Sequence, residues 1–132
     1  MALKQFKFKG KTLEELKKMS IKDFAQLVNA RQRRSLLRGF TPTQKTLIEN
    51  IRKAIKTGNK KPIKTHCRDC VIIPEMIGAT LSIHKGKEFI PIIITEEMLG
   101  HYLGELAPTR KRVEHSAPGV GATKSSAAIS VR

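Results

Sequence analysis

Ala79-Thr80-Leu81-Ser82-Ile83-His84, then Lys85-Gly86-Lys87-Glu88, then Ile90-Pro91-Ile92-Ile93-Ile94 is the stretch on which the fold depends. In the first six residues Ala79, Leu81 and Ile83 alternate with Thr80, Ser82 and His84. That period of two sends one side of a strand into a core and the other toward water. The glycine-bearing loop Lys85–Glu88 predicts a hairpin into the second apolar run. Pro91 has no N–H to give to a ladder, so its strand belongs at an edge, or turns that position outward. Just upstream, Val71-Ile72-Ile73 reads as a further short strand, which completes a small, three-stranded, mainly antiparallel sheet. Beyond the hairpin, Thr95-Glu96-Glu97-Met98 reads as a capped helical turn.

The first half has the helical period instead. Thr12-Leu13-Glu14-Glu15 spells a capping box, in which the Thr12 hydroxyl accepts from the N–H of Glu15 and the Glu15 carboxylate reaches back. This short helix should end near Met19. Ser20 offers the next cap, and Ile21, Phe24, Ala25 and Val28 repeat at helical spacing. That second helix is expected to run into Arg31-Gln32-Arg33-Arg34 and to break at Gly39. A third helix opens with Thr41 as cap, Pro42 as its first residue and Gln44 closing the box. Its stripe is Leu47, Ile48, Ile51, Ala54 and Ile55, and Gly58 supplies the stop. Laid over the sheet, this helix gives a two-layer α+β domain with helices preceding it. The expected parsing is an N-terminal helical extension over 1–30, an α+β core over 31–110 and a flexible basic tail over 111–132. The tail segment Pro118-Gly119-Val120-Gly121-Ala122-Thr123-Lys124-Ser125-Ser126 is too poor in apolar surface to offset its ordering entropy.

A chain of 132 residues that is 39% hydrophobic fits one folded domain. With no Trp and one Tyr its core must be mainly aliphatic. No apolar run has the length of a membrane span. The opening Met-Ala-Leu-Lys-Gln-Phe-Lys-Phe-Lys lacks the apolar stretch of a signal peptide, so a cytoplasmic location is expected, with Cys67 and Cys70 reduced.

Charge is the strongest compositional fact. The chain has 26 basic and 11 acidic side chains, formally +15. Residues 1–64 hold 18 of the Lys and Arg against 4 acids, whereas residues 65–110 hold 4 against 6. The helical half is therefore strongly cationic and the strand-rich part nearly neutral, which predicts a polyanion as partner. Arg31, Arg33, Arg34 and Arg38, with Lys60, Lys61 and Lys64, are the leading candidates to meet it. Arg matches paired phosphate oxygens with its planar fork and stacks on exposed bases. Aromatics are only 5% of the chain. A base-stacking sheet is accordingly not expected, and phosphate and shape recognition should dominate. No helix has an apolar face to spare for lipid, which argues against a membrane surface.

Catalytic and metal chemistry find little support. His66, Cys67 and Cys70 are three candidate ligands, but structural zinc takes four and no second Cys pair exists. A redox Cys-x-x-Cys normally opens a helix beside a parallel sheet, and this one precedes the expected strand at Val71-Ile72-Ile73. Glu97, His101 and Glu105 suggest acid–base chemistry, yet no nucleophile lies beside a base. The Pro118–Ser125 stretch lacks the Gly-Lys-Ser/Thr ending of a phosphate loop. The expectation is a protein without catalysis, metal, cofactor or small-molecule substrate.

Several segments then meet a known pattern. Pro62-Ile63-Lys64-Thr65-His66, Ile73-Pro74-Glu75-Met76-Ile77-Gly78, the run from Gly86 through Leu99-Gly100-His101-Tyr102-Leu103-Gly104-Glu105, and Ala107-Pro108-Thr109-Arg110 resemble the universal small-subunit ribosomal protein S nineteen family. Arg34-Ser35-Leu36-Leu37-Arg38-Gly39-Phe40 resembles its opening segment. The preceding helices and Pro118–Thr123 are similar to its archaeal and eukaryotic branch. The resemblance implies a ribosome-bound structural protein in the head of the small subunit that binds the ribosomal RNA. It also implies pairing with ribosomal protein S thirteen and a C-terminal tail that approaches tRNA near the decoding region. Carried over by position, Arg33, Arg34, Arg38, Lys60, Lys61, Lys64, Arg68, Lys87, Arg110 and Lys111 become expected RNA contacts, with Lys85 and Arg112 beside them. His84 and His101 join that set, although His101 also reads as a structural histidine. The alternative is a free-standing nucleic-acid-binding regulator that uses its second and third helices as a helix-turn-helix.

Overall fold

The computed structural model describes residues 5–114 and 118–128. Its first helix, α1 (Leu13–Lys18), starts where the Glu15 carboxylate accepts from the Thr12 N–H at 3.0 Å and stops at Met19. Helix α2 (Ile21–Leu27) is capped by the Ser20 hydroxyl, which accepts from the Asp23 N–H at 3.2 Å. The expected single helix through the arginine cluster is in fact two. Val28 is buried and extended, and Asn29 starts a new helix, α3 (Ala30–Leu37). Val28, extended between the two helices, stays in the core at 5% exposure.

Helix α4 (Pro42–Thr57) follows the sequence signals closely. Thr41 and Gln44 form a reciprocal capping box, with bonds of 3.4 and 3.1 Å. Gly58 ends the helix in the left-handed conformation at φ 66°, which a residue without Cβ adopts at no steric cost. Leu47, Ile48 and Ile51 are buried, while Ile55 at the outer end of the stripe is exposed. A forked Arg52–Glu75 pair, at 2.7 and 3.2 Å, links α4 to a 3-10 turn at Pro74–Met76. Glu75 raises the Arg52 pKa further.

Three strands follow: β1 (Ile63–Thr65), β2 (Thr80–His84) and β3 (Phe89–Ile93). They lie in the order β1-β2-β3, with β1 parallel to β2 and β3 antiparallel to it. The α+β class holds, and the sheet is mixed. Pro91 sits on the edge strand, opposite Ser82. The expected strand at Val71-Ile72-Ile73 is not one. These residues are at most 3% exposed, and Val71 makes only an isolated bridge to Tyr102. Ile72 exchanges bonds with His101 and Gly100, and Pro74 then opens the 3-10 turn. A short apolar run reads alike as a strand or as buried core, and here burial decided it. The third strand is Ile63–Thr65, whose three residues are too few to show alternation.

One cluster of buried residues joins these parts. Leu16, Phe24, Ala25 and Val28 from the first helices belong to it together with Leu47, Ile51, Ile72, Leu81, Ile83 and Leu103. The helical turn expected after Thr95 is a 3-10 turn at Glu96–Met98, and another follows at Leu103–Leu106. In the tail, Lys124–Ala127 form a four-residue helix α5, whereas the tail residues 115–117 and 129–132 lie outside the described residues. Among the described residues no helix is long and apolar enough to cross a membrane.

Candidate nucleic-acid interface

Helix α3 has Arg31, Arg33 and Arg34 on its exposed surface, and Arg38 is its C-cap residue. Arg31 and Arg38 border an open cleft of about 750 Å3 whose other walls include Phe40, Thr41, Asp69 and Tyr102. The Tyr102 and Ser35 hydroxyls are hydrogen-bonded at 2.8 Å, which fixes α3 against the segment that follows the hairpin. Leu37, 58% exposed, lies among Arg33, Arg34 and Arg38 on the outer side of the helix. The cationic face thus carries apolar surface as well as charge.

Two of the arginines are engaged in a different way. Arg33 donates from Nε to the Ala25 carbonyl at 3.2 Å, and from Nη2 to Gln26 at 3.4 Å and Val28 at 3.3 Å. These are carbonyls at the broken end of α2, where a helix has no partners of its own. Arg33 therefore closes α2 as a cationic cap. Arg68 is tied more firmly. Its Nη1 donates to the His84 carbonyl at 2.6 Å, and its Nη2 to Gly104 at 2.8 Å and Ala107 at 2.6 Å. It staples the end of β2 to the turn at Leu103–Leu106. Gly104 suits the close approach there, because a Cβ would lie 3.0 Å from the Arg68 carbonyl and 3.1 Å from its Cβ.

The outer face of the sheet holds what sequence reasoning missed. Lys64, Ser82, His84 and Phe89 share it by register, and His66 follows directly after β1; Ser82, expected to face water, is buried at 5% exposure. The ring centroids of His66 and His84 are 4.4 Å apart, those of His66 and Phe89 5.2 Å, and those of His84 and Phe89 4.9 Å. Lys64 Nζ lies 5.4 Å from the Phe89 centroid. His84 Nδ1 accepts from the Gly86 N–H at 3.1 Å, which places that ring's proton on Nε2 in its neutral form. The pairing of His84 with Phe89 was legible in the hairpin register. His66 joins them only because β1 runs parallel beside β2.

The remaining candidates lie at both ends of the sheet and beyond it: the loop before β1 is at the end where β2 begins, opposite the hairpin turn. Lys60 and Lys61 are exposed in the α4–β1 loop, and Lys87 is exposed in the hairpin turn. Lys85 pairs with Glu88 at 2.5 Å. That contact, with weaker help from Lys111, holds the Glu88 carboxyl below the usual carboxylate range. Lys111 is therefore close enough to act on the hairpin turn. Arg110, Lys111 and Arg112 are all exposed. His101 Nδ1 is 2.7 Å from the Glu105 carboxylate, an exposed local pair.

Cys67 and Cys70 are free thiols. Burial pushes the Cys70 thiol up to about 12, so it stays protonated near neutrality. Among the described residues no group of three or more His, Cys, Asp or Glu is placed to hold a metal. The arrangement offers exposed cations on α3, in the α4–β1 loop and at the hairpin end, carried by a rigid scaffold. Such a surface can bind phosphates. A comparison with known families gives a match over residues 34–115 to the family described as Ribosomal protein S19.

Proposed function

Because the chain belongs to the ribosomal protein S19 family, whose members are structural, RNA-binding constituents of the small ribosomal subunit, we propose that it sits in the head of that subunit, in the cytoplasm, and reads RNA through the cations described above. The match across residues 34–115 carries this reading. It covers the second half of α3, all of α4 and the whole sheet, and so contains most of the exposed cations.

The proposed RNA contacts are Arg31, Arg34, Arg38, Lys60, Lys61, Lys64, Lys87, Arg110, Lys111 and Arg112. Each has an exposed side chain able to neutralise phosphate. Arg33 and Arg68 act at one remove, by holding α2 and the end of β2 in place. His84, Lys85 and His101 lie beside these groups as secondary contacts. The helices that precede the 31–110 core dock on it, and the 111–132 tail is the basic segment that RNA neutralises. The resemblance noted above extends the proposal to two partners: ribosomal protein S thirteen on a neighbouring surface, and tRNA near the decoding region for the arm. Catalysis has no part in it, in keeping with a structural family.

Sucrose-gradient sedimentation of the tagged chain from its own cells tests this reading. We expect nearly all of it to travel with small subunits and whole ribosomes. The triple variant Arg31→Ala/Arg34→Ala/Arg38→Ala should shift a large share to the top of the gradient while melting within about 1 kcal/mol of the unaltered chain, since these side chains are exposed. A chain that stays at the top in every fraction, or prefers duplex DNA, would instead be a free-standing regulator.

A further inference from the structure

On the outer face of the sheet His66, His84 and Phe89 form a ring cluster that is not part of the buried core. We propose that this cluster, with Lys64 at its side, is the seat for one unpaired base of the small-subunit RNA. The inference rests on the reading that the chain binds that RNA, and adds to it a site where a base, as well as phosphate, is held.

The seat is built rather than incidental. His84 and Phe89 are directly paired across the hairpin, and His66 follows the last β1 residue, Thr65, which pairs with Ile83. The Arg68 guanidinium holds the His84 carbonyl, and the Gly86 N–H holds the His84 ring nitrogen. Phe89 meets both histidines nearly edge-on, at 77° and 69°. It supports them from the side and leaves the exposed His66 ring outermost.

Bases splayed from RNA loops and bulges stack on aromatic side chains, histidine among them, whereas bases within an A-form helix are out of reach. Aromatic rings with cations beside them are how proteins hold single strands: the ring takes the base and the cation takes its phosphate. Lys64 is placed for the second role, and Lys87 adds positive charge in the hairpin turn at the same end of the sheet. That charge favours a polyanion over an apolar protein surface as occupant.

The test measures affinity for deproteinised small-subunit RNA at several salt concentrations. His66→Ala should bind about tenfold more weakly, within the range of one lost base–aromatic stack, with an unchanged salt slope because no phosphate contact is lost. His66→Phe should bind like the unaltered chain, and both variants should melt with it. Lys61→Ala, by contrast, should flatten the slope. Full affinity in His66→Ala overturns the seat and leaves the RNA-binding reading intact. If that variant nevertheless left the subunit in gradients, the face would belong to a protein neighbour. Failure of the unaltered chain to bind RNA removes the reading itself, and the seat with it.

Discussion

Arg68→Ala is expected to destabilise the protein by about 3–5 kcal/mol, a fall in melting temperature on the order of 10–20 °C. The guanidinium donates to three carbonyls at 2.6–2.8 Å, and those acceptors belong to β2 and to the turn after Tyr102. Removing it strips three part-buried carbonyls of a charged donor, and among the described residues only Gly104 keeps another, the Ala107 N–H at 3.4 Å, so the loss exceeds a mean hydrogen bond. Arg68→Lys should recover only part of the loss, because one ammonium cannot reproduce a planar fork that spans separate acceptors. Arg34→Ala, at an exposed position, should shift stability by less than about 0.5 kcal/mol. Thermal melting of the three variants compares them directly. An Arg68→Ala protein that melts with the unaltered chain would mean that the staple is dispensable.

The second large effect concerns the N-terminal helices. Phe24 is 1% exposed and lies 6.0 Å from Phe8, within the same cluster as Leu81 and Ile83. Phe24→Ala should cost about 3–5 kcal/mol, from lost apolar burial and the cavity left behind. The informative feature is the form of the denaturant transition. If residues 1–30 are integral to the core, unfolding remains one cooperative step with a lowered midpoint. If they were a detachable extension, the main transition would keep its midpoint and a separate, weaker one would change.

Much of this architecture was legible in the residues because it is encoded locally. The Thr41-Pro42-Gln44 cap and the Gly58 stop fix α4 by their own hydrogen bonds and dihedral angles. The alternation Thr80–His84 and the turn glycine fix the hairpin in the same way. What sequence missed depends on distant partners. β1 is too short to show a period, and it is a strand only because β2 lies alongside. The apolar run at Val71-Ile72-Ile73 carried the stronger strand signal, yet it became buried irregular core.

The candidate site shows the same division. The cationic clusters could be read from charge alone, and most of them are exposed as a phosphate-binding surface requires. Composition could not tell an arginine that faces solvent from one bound to carbonyls, as with Arg33 and Arg68. Nor could it find the ring cluster. Histidines do not count toward an aromatic percentage, and His66 meets His84 and Phe89 only through the register of a mixed sheet.

The central claim is that exposed cations on this scaffold hold ribosomal RNA by neutralising phosphates. A salt titration of binding to deproteinised small-subunit RNA tests it most directly. With six to ten contacts of this kind, affinity should fall by roughly 10³- to 10⁵-fold between about 50 and 200 mM salt. The slope should shrink in Arg31→Ala/Arg34→Ala/Arg38→Ala by about one unit or slightly less per lost contact. An affinity that hardly changes over that range, or a slope indifferent to loss of those three arginines, would contradict the account.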